Sequence, residues 1–258
     1  MKKLITYLRY FFEYLRFGDF VSIIASAKYL LNKTSHRNDR IIRTSVGTFF
    51  CRKNTNDFQF ANYYYEWGVK KFILKQKNEF SVFIDVGACV GDYSILLAKK
   101  NKQCFAFELV SDNFKTFQKN LELNDLQNKV KLFPYGLGDA DYSASFTFDP
   151  INTGASRINK VKKSTTEKAE IRKLDSLVDE MAIDKNEHIF VKLDVEGMEA
   201  EVIRGAFNFI MYYPHITFIV EEKHSGQLPI TDTFRDIALF EFGEVDEFNI
   251  YAKKIRNY

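Results

Sequence analysis

The chain has 258 residues, 46% of them hydrophobic and 16% aromatic, and a formal net charge of +3. That length holds one α/β domain with a full core plus decoration, and the near-neutral balance argues against a polyanionic partner such as nucleic acid. Cys51, Cys89 and Cys104 are odd in number and lack CxxC spacing, which excludes a disulfide framework and fits free thiols in a reducing cytoplasm; His36, His188, His215 and His224 show no zinc-binding spacing.

Arg9, Glu13, Arg16 and Asp19 interrupt the N-terminal stretch, which is too charged to span a bilayer and lacks the unbroken apolar core of a signal peptide. Leu4, Leu8, Phe11, Phe12 and Leu15 recur at helical spacing, with Lys2, Lys3, Arg9 and Arg16 elsewhere on the wheel. The spacing predicts one or two helices over residues 1–31. They would pack on their own domain or on a second copy of the chain. The alternative is a membrane-surface helix at the inner face of the membrane. Residues 32–40 read as a linker. Residues 41–80 combine a hairpin pattern around Gly47 with an aromatic, helix-like stretch from Phe60 to Leu74. Residues 1–80 are therefore read as an N-terminal helical and aromatic extension, and 81–258 as the main domain.

From residue 81 strands and helices alternate. Apolar runs at 81–85, 103–108, 130–134, 188–194 and 215–221 predict five strands. Between them, Phe114, Phe117 and Leu121 share a helix face behind a Ser111 cap. Leu174, Leu177, Val178 and Met181 share a second face, and Val202, Ile203, Ala206, Phe209 and Ile210 a third. This pattern predicts a Rossmann-like, mostly parallel, doubly wound α/β sheet. Two further strand patterns, ALFEFGEV and EFNIYAKKI, predict a closing antiparallel pair. Residues 140–170 interrupt the rhythm as an insertion over the cleft: DYSASFTFDP alternates like a strand, and INTGASRINKVKKSTTEK reads as a long loop.

The chemistry concentrates where strands meet loops. VFIDVGACVGDYSILL reads as strand, glycine turn and helix start, a cradle for a nucleotide-like cofactor. A dinucleotide fingerprint would place glycines where Gly87, Cys89 and Asp92 stand, so two of three fail. Asp92 and Asp85 would repel a pyrophosphate and attract a cation, which favours S-adenosylmethionine, a sulfonium and an ammonium without phosphate, over NAD. Glu108, at the end of the second strand, suits the ribose hydroxyls; the structural alternative is a helix cap. In the turn Gly136-Leu137-Gly138-Asp139, Asp139 either accepts from an adenine amino group or closes a plain turn. Lys192, Asp194 and Glu196 alternate along one strand and would share a face at the carboxyl edge, as a catalytic group or as a salt-bridged strand end. Glu221, Glu222, Lys223 and His224 would face the same mouth, with His224 suited to general base work. Arg52, Asp57, Tyr63, Tyr64, Tyr65 and Trp67 suit either sugar stacking or core packing.

Three segments together resemble the FkbM family of S-adenosylmethionine-dependent methyltransferases: IDVGACVGDYS at 84–94, FEL at 107–109 and VKLDVEGMEAEVIRGA at 191–206. RKLDSL at 172–177 and FCRKNTNDFQFANYYYEWG at 50–68 add to the likeness. The resemblance implies a class I methyltransferase fold and O-methylation of a hydroxyl on a glycan or small molecule. It implies that Asp85 and Gly87 hold the methionine part of the cofactor, within a loop that includes Ala88, Gly91, Asp92 and Tyr93. It implies ribose binding by Glu108 beside Leu109, with Gly138 and Asp139 bordering the adenine, and places Asp194 and Glu196 toward the transferred methyl. The chain departs from the family pattern at Leu109, commonly proline, and at Cys89, commonly asparagine. Asp194, Glu196 or His224 is the expected proton acceptor; a divalent metal between two acids is an alternative that nothing in the sequence indicates. The competing functions are an NAD-dependent oxidoreductase and a silent cofactor-binding scaffold. A nucleic-acid methyltransferase is a further reading; it would normally show a basic face, to which a net charge of +3 gives little support.

Overall fold

Two helices lead the chain, α1 (Lys2–Arg16) and α2 (Phe20–Asn32), followed by the hairpin of β1 (Arg40–Arg43) and β2 (Thr48–Cys51). The computed structural model describes residues 2–148, 153–154, 156–157, 165–222 and 229–258. The aromatic stretch after the hairpin is not one helix: α3 (Asp57–Phe60) and α4 (Trp67–Lys75) are separated by turns. Glu66 stands just before α4 at φ 46°, a left-handed conformation that a continuous helix does not allow.

The alternating part then runs β3 (Val82–Val86), α5 (Asp92–Ala98), β4 (Gln103–Phe107), α6 (Ser111–Glu122) and β5 (Val130–Phe133). A side excursion follows: β6 (Tyr135–Leu137), β7 (Tyr142–Phe148), β8 (Ser156–Arg157) and β9 (Thr165–Arg172). A 3₁₀ turn leads into α7 (Val178–Met181). The chain continues through β10 (Ile189–Leu193), α8 (Glu199–Arg204), α9 (Phe207–Tyr212), β11 (Ile216–Glu221), α10 (Ile230–Arg235), β12 (Leu239–Glu244) and β13 (Asn249–Arg256).

The main sheet has seven strands in the order β12-β13-β11-β10-β3-β4-β5. β5, β4, β3, β10 and β11 are parallel to one another, and β13 is antiparallel to both of its neighbours. The mostly parallel, doubly wound architecture is as expected, closing antiparallel pair included. The pair closes in a way the sequence does not reveal: the last strand inserts between β11 and β12 instead of extending the edge. The strand order reverses between β3 and β10, so the crevice at their carboxyl ends is the natural ligand site.

Alternate residues of the central strands feed two cores. Val82, Ile84 and Val86 of β3 join Phe105, Phe107, Val191 and Phe218 on one face. Phe83 joins Ala106, Phe190 and Ile219 on the other, together with Phe49, Phe58, Val69 and Ile73 from the segment before residue 80. Packing therefore runs across that point in the chain. Each such large side chain stabilises the fold by about 1.5–3 kcal/mol on burial.

Three local expectations are corrected. The stretch read as a long loop ends in Thr165–Lys168, which instead begins a strand, Thr165–Arg172, paired with Tyr142–Phe148; the strand is mostly polar, and Ile171 is buried in the core. The rest of that loop, at 149–152, 155 and 158–164, lies outside the described residues. The single helical face from Val202 to Ile210 belongs to two helices broken at Gly205, whose Cα lies so close to the Gly138 carbonyl that a Cβ would overlap it. Ser111 does not cap α6. It is the first helical residue, Val110 is the N-cap, and the Glu108 carboxylate meets the Val110 amide at 2.8 Å.

Candidate active site

β3 ends in Asp85 and Val86, and the chain turns at Gly87 with φ 83°. No other residue fits there, because a Cβ would overlap the carbonyl oxygen of Asp194 on the neighbouring strand end. The turn is pinned from β4: the Gly87 and Ala88 amides both donate to the Phe107 carbonyl, at 3.1 and 3.0 Å, and the Cys89 amide donates to Glu108 Oε2 at 2.8 Å. Cys89 is left-handed, at φ 49°, where asparagine is better suited than most residues. Gly91, also left-handed, caps α5.

Asp85 is buried. Its Oδ2 accepts from Ser94 Oγ at 2.7 Å, and its Oδ1 has no hydrogen-bond partner among the described residues. Burial pushes its pKa up to about 6, against the opposing pull of Lys192 and the Ser94 hydroxyl. Asp92 differs from expectation. Its carboxylate pairs with Lys70 Nζ at 2.8 Å, both groups being buried, so it does not stand as a free negative charge at the helix start. The acidity of the site comes instead from several directions. Among the described residues, a cavity of about 170 Å³ is lined by six carboxylates, of Glu66, Asp85, Asp92, Asp194, Glu196 and Glu221, and by one ammonium, of Lys192, with Phe60, Tyr65 and Tyr93 as aromatic walls.

Lys192 and Asp194 form a 2.7 Å ion pair, the salt-bridged arrangement that was the alternative reading of this strand. Burial works against the Lys192 ammonium, but Asp194, Glu66 and Asp85 outweigh it and hold its pKa above the ordinary lysine value. Asp194 is thus a paired carboxylate, bound to Lys192 through Oδ2. Glu196 lines the same cavity in a left-handed conformation, at φ 55°. Glu66 accepts from Tyr93 OH at 2.8 Å, and burial, reinforced by Asp194 and Asp92, raises its pKa despite Lys192. Glu221, half-buried at the end of β11, is pushed up to about 7 by burial and by the charges of Asp194, Glu196 and Glu66. Among the described residues no group of three or more His, Cys, Asp or Glu side chains is arranged to hold a metal ion.

Gly87 also borders a second, apolar chamber, formed by Leu109, Tyr135, Gly136, Leu137, Phe146, Ile171, Val195 and Met198. Glu108 lies buried at the end of β4, its two oxygens accepting the Cys89 and Val110 amides, and burial lifts its pKa to about 7. Gly138 packs against Ile171 and Met198, while Asp139 points away to Arg204, 3.7 Å distant and exposed, instead of toward either cavity. His224 lies outside the described residues.

The residues before β3 divide. Arg52 makes a two-pronged pair with Asp57, at 2.8 Å to each oxygen, and also reaches Asn113; Thr153 bonds to Asp57 and Asn113. They form a clasp that fastens the insertion to α6, not a stacking surface. Tyr63, Tyr64 and Trp67 pack on one another, whereas Tyr65 turns into the cavity. Glu66, Lys70 and Phe60 are site residues that the sequence reading did not single out. Glu66 and Lys70 sit four apart, which reads as an ordinary solvated helix pair, and nothing local signals that this segment returns to the glycine turn. Glu221 was visible as a strand-end acid, the one signal that pointed to it.

A sequence model of the family described as "Methyltransferase FkbM domain" matches residues 85–249. The hexuronic acid methyltransferase AglP of Haloferax volcanii is 27% identical over 164 residues, which cover 64% of this chain and 64% of that protein. Methyltransferase 1 of Beauveria bassiana is 30% identical over 146 residues, covering 48% of this chain and 58% of that protein. The chain thus spans less than two thirds of the length of either curated relative. Among solved structures, an FkbM methyltransferase from Methylobacillus flagellatus matches with a TM-score of 0.48 at 17% identity, over 68% of this chain and 44% of that one.

Proposed function

Since the chain belongs to the FkbM methyltransferase family, we propose that it is an enzyme that moves a methyl group from S-adenosylmethionine to a hydroxyl of a sugar, glycan or small-molecule acceptor. The observation that carries this reading is the cavity at the topological switch, where, among the described residues, Lys192 lines the wall with six carboxylates, of which Asp92 is paired with Lys70. Carboxylates in such excess raise one another's pKa values and are relieved by a cationic ligand. The partnerless Asp85 Oδ1 is a specific place for a positive group. A pyrophosphate would meet the same acids as repulsion, which is the argument against NAD.

The residues present fit the methyl donor. Asp85 and the Gly87 backbone would hold its methionine portion, with Ala88, Gly91 and Tyr93 shaping the turn and Lys70 keeping Asp92 in place. Beyond the Cys89 and Val110 amides and the Asn113 side-chain amide, Glu108 keeps lone-pair capacity to accept from ribose hydroxyls. The apolar chamber beside Leu109 and Gly136 has a volume of about 30 Å³, so a purine would enter it only if its walls moved apart. When bound, S-adenosylmethionine supplies a methyl group activated by a positively charged sulfur.

The protein's part is to orient the acceptor, exclude water and take up a proton. Glu221 is the proton acceptor in this reading, replacing Asp194, which Lys192 occupies. A carboxylate with a pKa of about 7 is half deprotonated at neutral pH, the condition in which a general base works best. Phe60, Tyr65 and Tyr93 line the cavity, and the sugar named for the Haloferax volcanii relative supports that acceptor class.

The test is calorimetric titration with S-adenosylmethionine, set beside single-turnover transfer of labelled methyl to a panel of nucleotide sugars and glycans. Asp85→Asn should weaken cofactor binding by about ten-fold or more. Glu221→Gln should leave that affinity within about three-fold but lower turnover by about 10²–10⁴. Capture of NADH by a protein that ignores S-adenosylmethionine would sink the proposal.

A further inference from the structure

The two leading helices wear their apolar side chains on the outside. On α1 the residues turned toward the domain are Tyr10, Glu13 and Tyr14. Glu13 accepts from the Ser45 amide at 2.6 Å and from the Ser45 hydroxyl at 3.1 Å, and Tyr14 OH donates to the Phe58 carbonyl at 2.8 Å. The opposite face exposes Leu4, Leu8, Phe11 and Leu15, a single stripe at helical spacing, with Ile5 and Phe12 beside it. Leu4 is 62% and Phe12 59% exposed. The inversion repeats in α2, where Ser22 and Ala25 are buried while Phe20, Ile24 and Leu31 face outward. Between the helices runs an apolar groove of about 260 Å³. A contiguous apolar surface of this kind marks a docking face.

The charges around it identify what docks. Arg9, Arg16, Lys28 and Lys33 are exposed along the two helices. The acids of residues 2–33 are Glu13 and Asp19, and both are buried, Asp19 bound to Arg40 and to the Ser22 amide. The face therefore presents cations and apolar groups without an exposed carboxylate. A second copy of the chain would bring cations against cations with nothing to neutralise them. Anionic lipid headgroups above an acyl layer complement both features. At 15 residues α1 rises about 22 Å, short of the roughly 30 Å hydrocarbon core, so it is suited to lie in the interface and not to cross it. We infer that α1 and α2 together dock flat on an anionic lipid bilayer surface.

Co-sedimentation with neutral phosphatidylcholine vesicles and with 7:3 phosphatidylcholine–phosphatidylglycerol vesicles tests this. Energy transfer from Trp67, the one tryptophan in the chain, to a dansyl-labelled lipid gives a second readout. The wild type should bind the anionic vesicles at least about ten-fold more tightly than the neutral ones, and less so at high salt. Phe12→Asp with Ile24→Asp should reduce binding about ten-fold or more with thermal unfolding unchanged; Phe12→Ser with Ile24→Ser is the milder pair if the charged variant does not fold. Lys28→Glu with Lys33→Glu should erase the preference for anionic lipid. A wild type that ignores both vesicle types overturns the inference, whether it sediments as a monomer or as a dimer that the Phe12 and Ile24 variants dissolve.

Discussion

Two residues show how much of the site rests on single atoms. Gly87 is needed both for its left-handed backbone and for its contact with the Asp194 carbonyl. Gly87→Ala must therefore separate β3 from β10 at the cofactor turn, with an expected loss of about 2–4 kcal/mol of stability and of cofactor binding, read by denaturant unfolding and calorimetry. Glu221 makes a kinetic prediction. As a base it acts when deprotonated, so turnover should rise as pH increases from about 6 to 8, with a midpoint near the folded-state pKa of about 7. Glu221→Gln should flatten that limb; an unaltered profile would move the proton acceptor elsewhere. Asp85 and Gly87 were legible in the sequence because the glycine turn announces itself. Glu66 was not, since its role depends on a chain path and not on any neighbour in the sequence.

At the scale of elements, the buried pair of Lys70 and Asp92 ties α4 to the start of α5. Removing one member leaves an uncompensated charge in the interior. Lys70→Met should cost about 3–5 kcal/mol, whereas Lys70→Met with Asp92→Leu should recover much of it, a comparison that urea unfolding of both variants resolves. Such a pair also explains why the helix start tolerates an acid that would otherwise sit alone. The strands were readable because parallel strands buried on both faces are nearly continuous apolar runs. β9 was not, because Thr165–Arg172 is mostly polar and gains its place from pairing with β7. The two helices broken at Gly205 likewise carry one continuous apolar period, and only the approach of the Gly138 turn divides them.

For the molecule as a whole, burial lifts the carboxyl groups of Asp85, Glu108 and Glu221 to about 6, 7 and 7, above their values in an unfolded chain. The folded state then binds more protons than the unfolded state between about pH 4 and pH 7. These groups favour the fold most below the unfolded-state pKa, and that advantage is lost as pH rises through the folded-state values. Asp85 alone accounts for about 3 kcal/mol of this. The melting temperature should fall by several degrees from about pH 5 to pH 8 without ligand. Saturating S-adenosylmethionine should reduce the fall, because a cation stabilises the charged form of the same acids; calorimetric scans at intervals of one pH unit would show both. Among the described residues no helix is long and apolar enough to cross a membrane.

The sequence by itself determined the alternation of strand and helix, the glycine turn, and the family to which the chain belongs, because each is written in neighbouring residues and in periods of two or 3.6. The tertiary structure decided which charges stand free. It joined Lys70 to Asp92 and Lys192 to Asp194, left Asp85 with an oxygen unbonded among the described residues, and gathered Glu66 and Glu221 from distant parts of the chain into one cavity. The energy of a charge depends on burial and on its neighbours in space, and neither can be read from position along the chain.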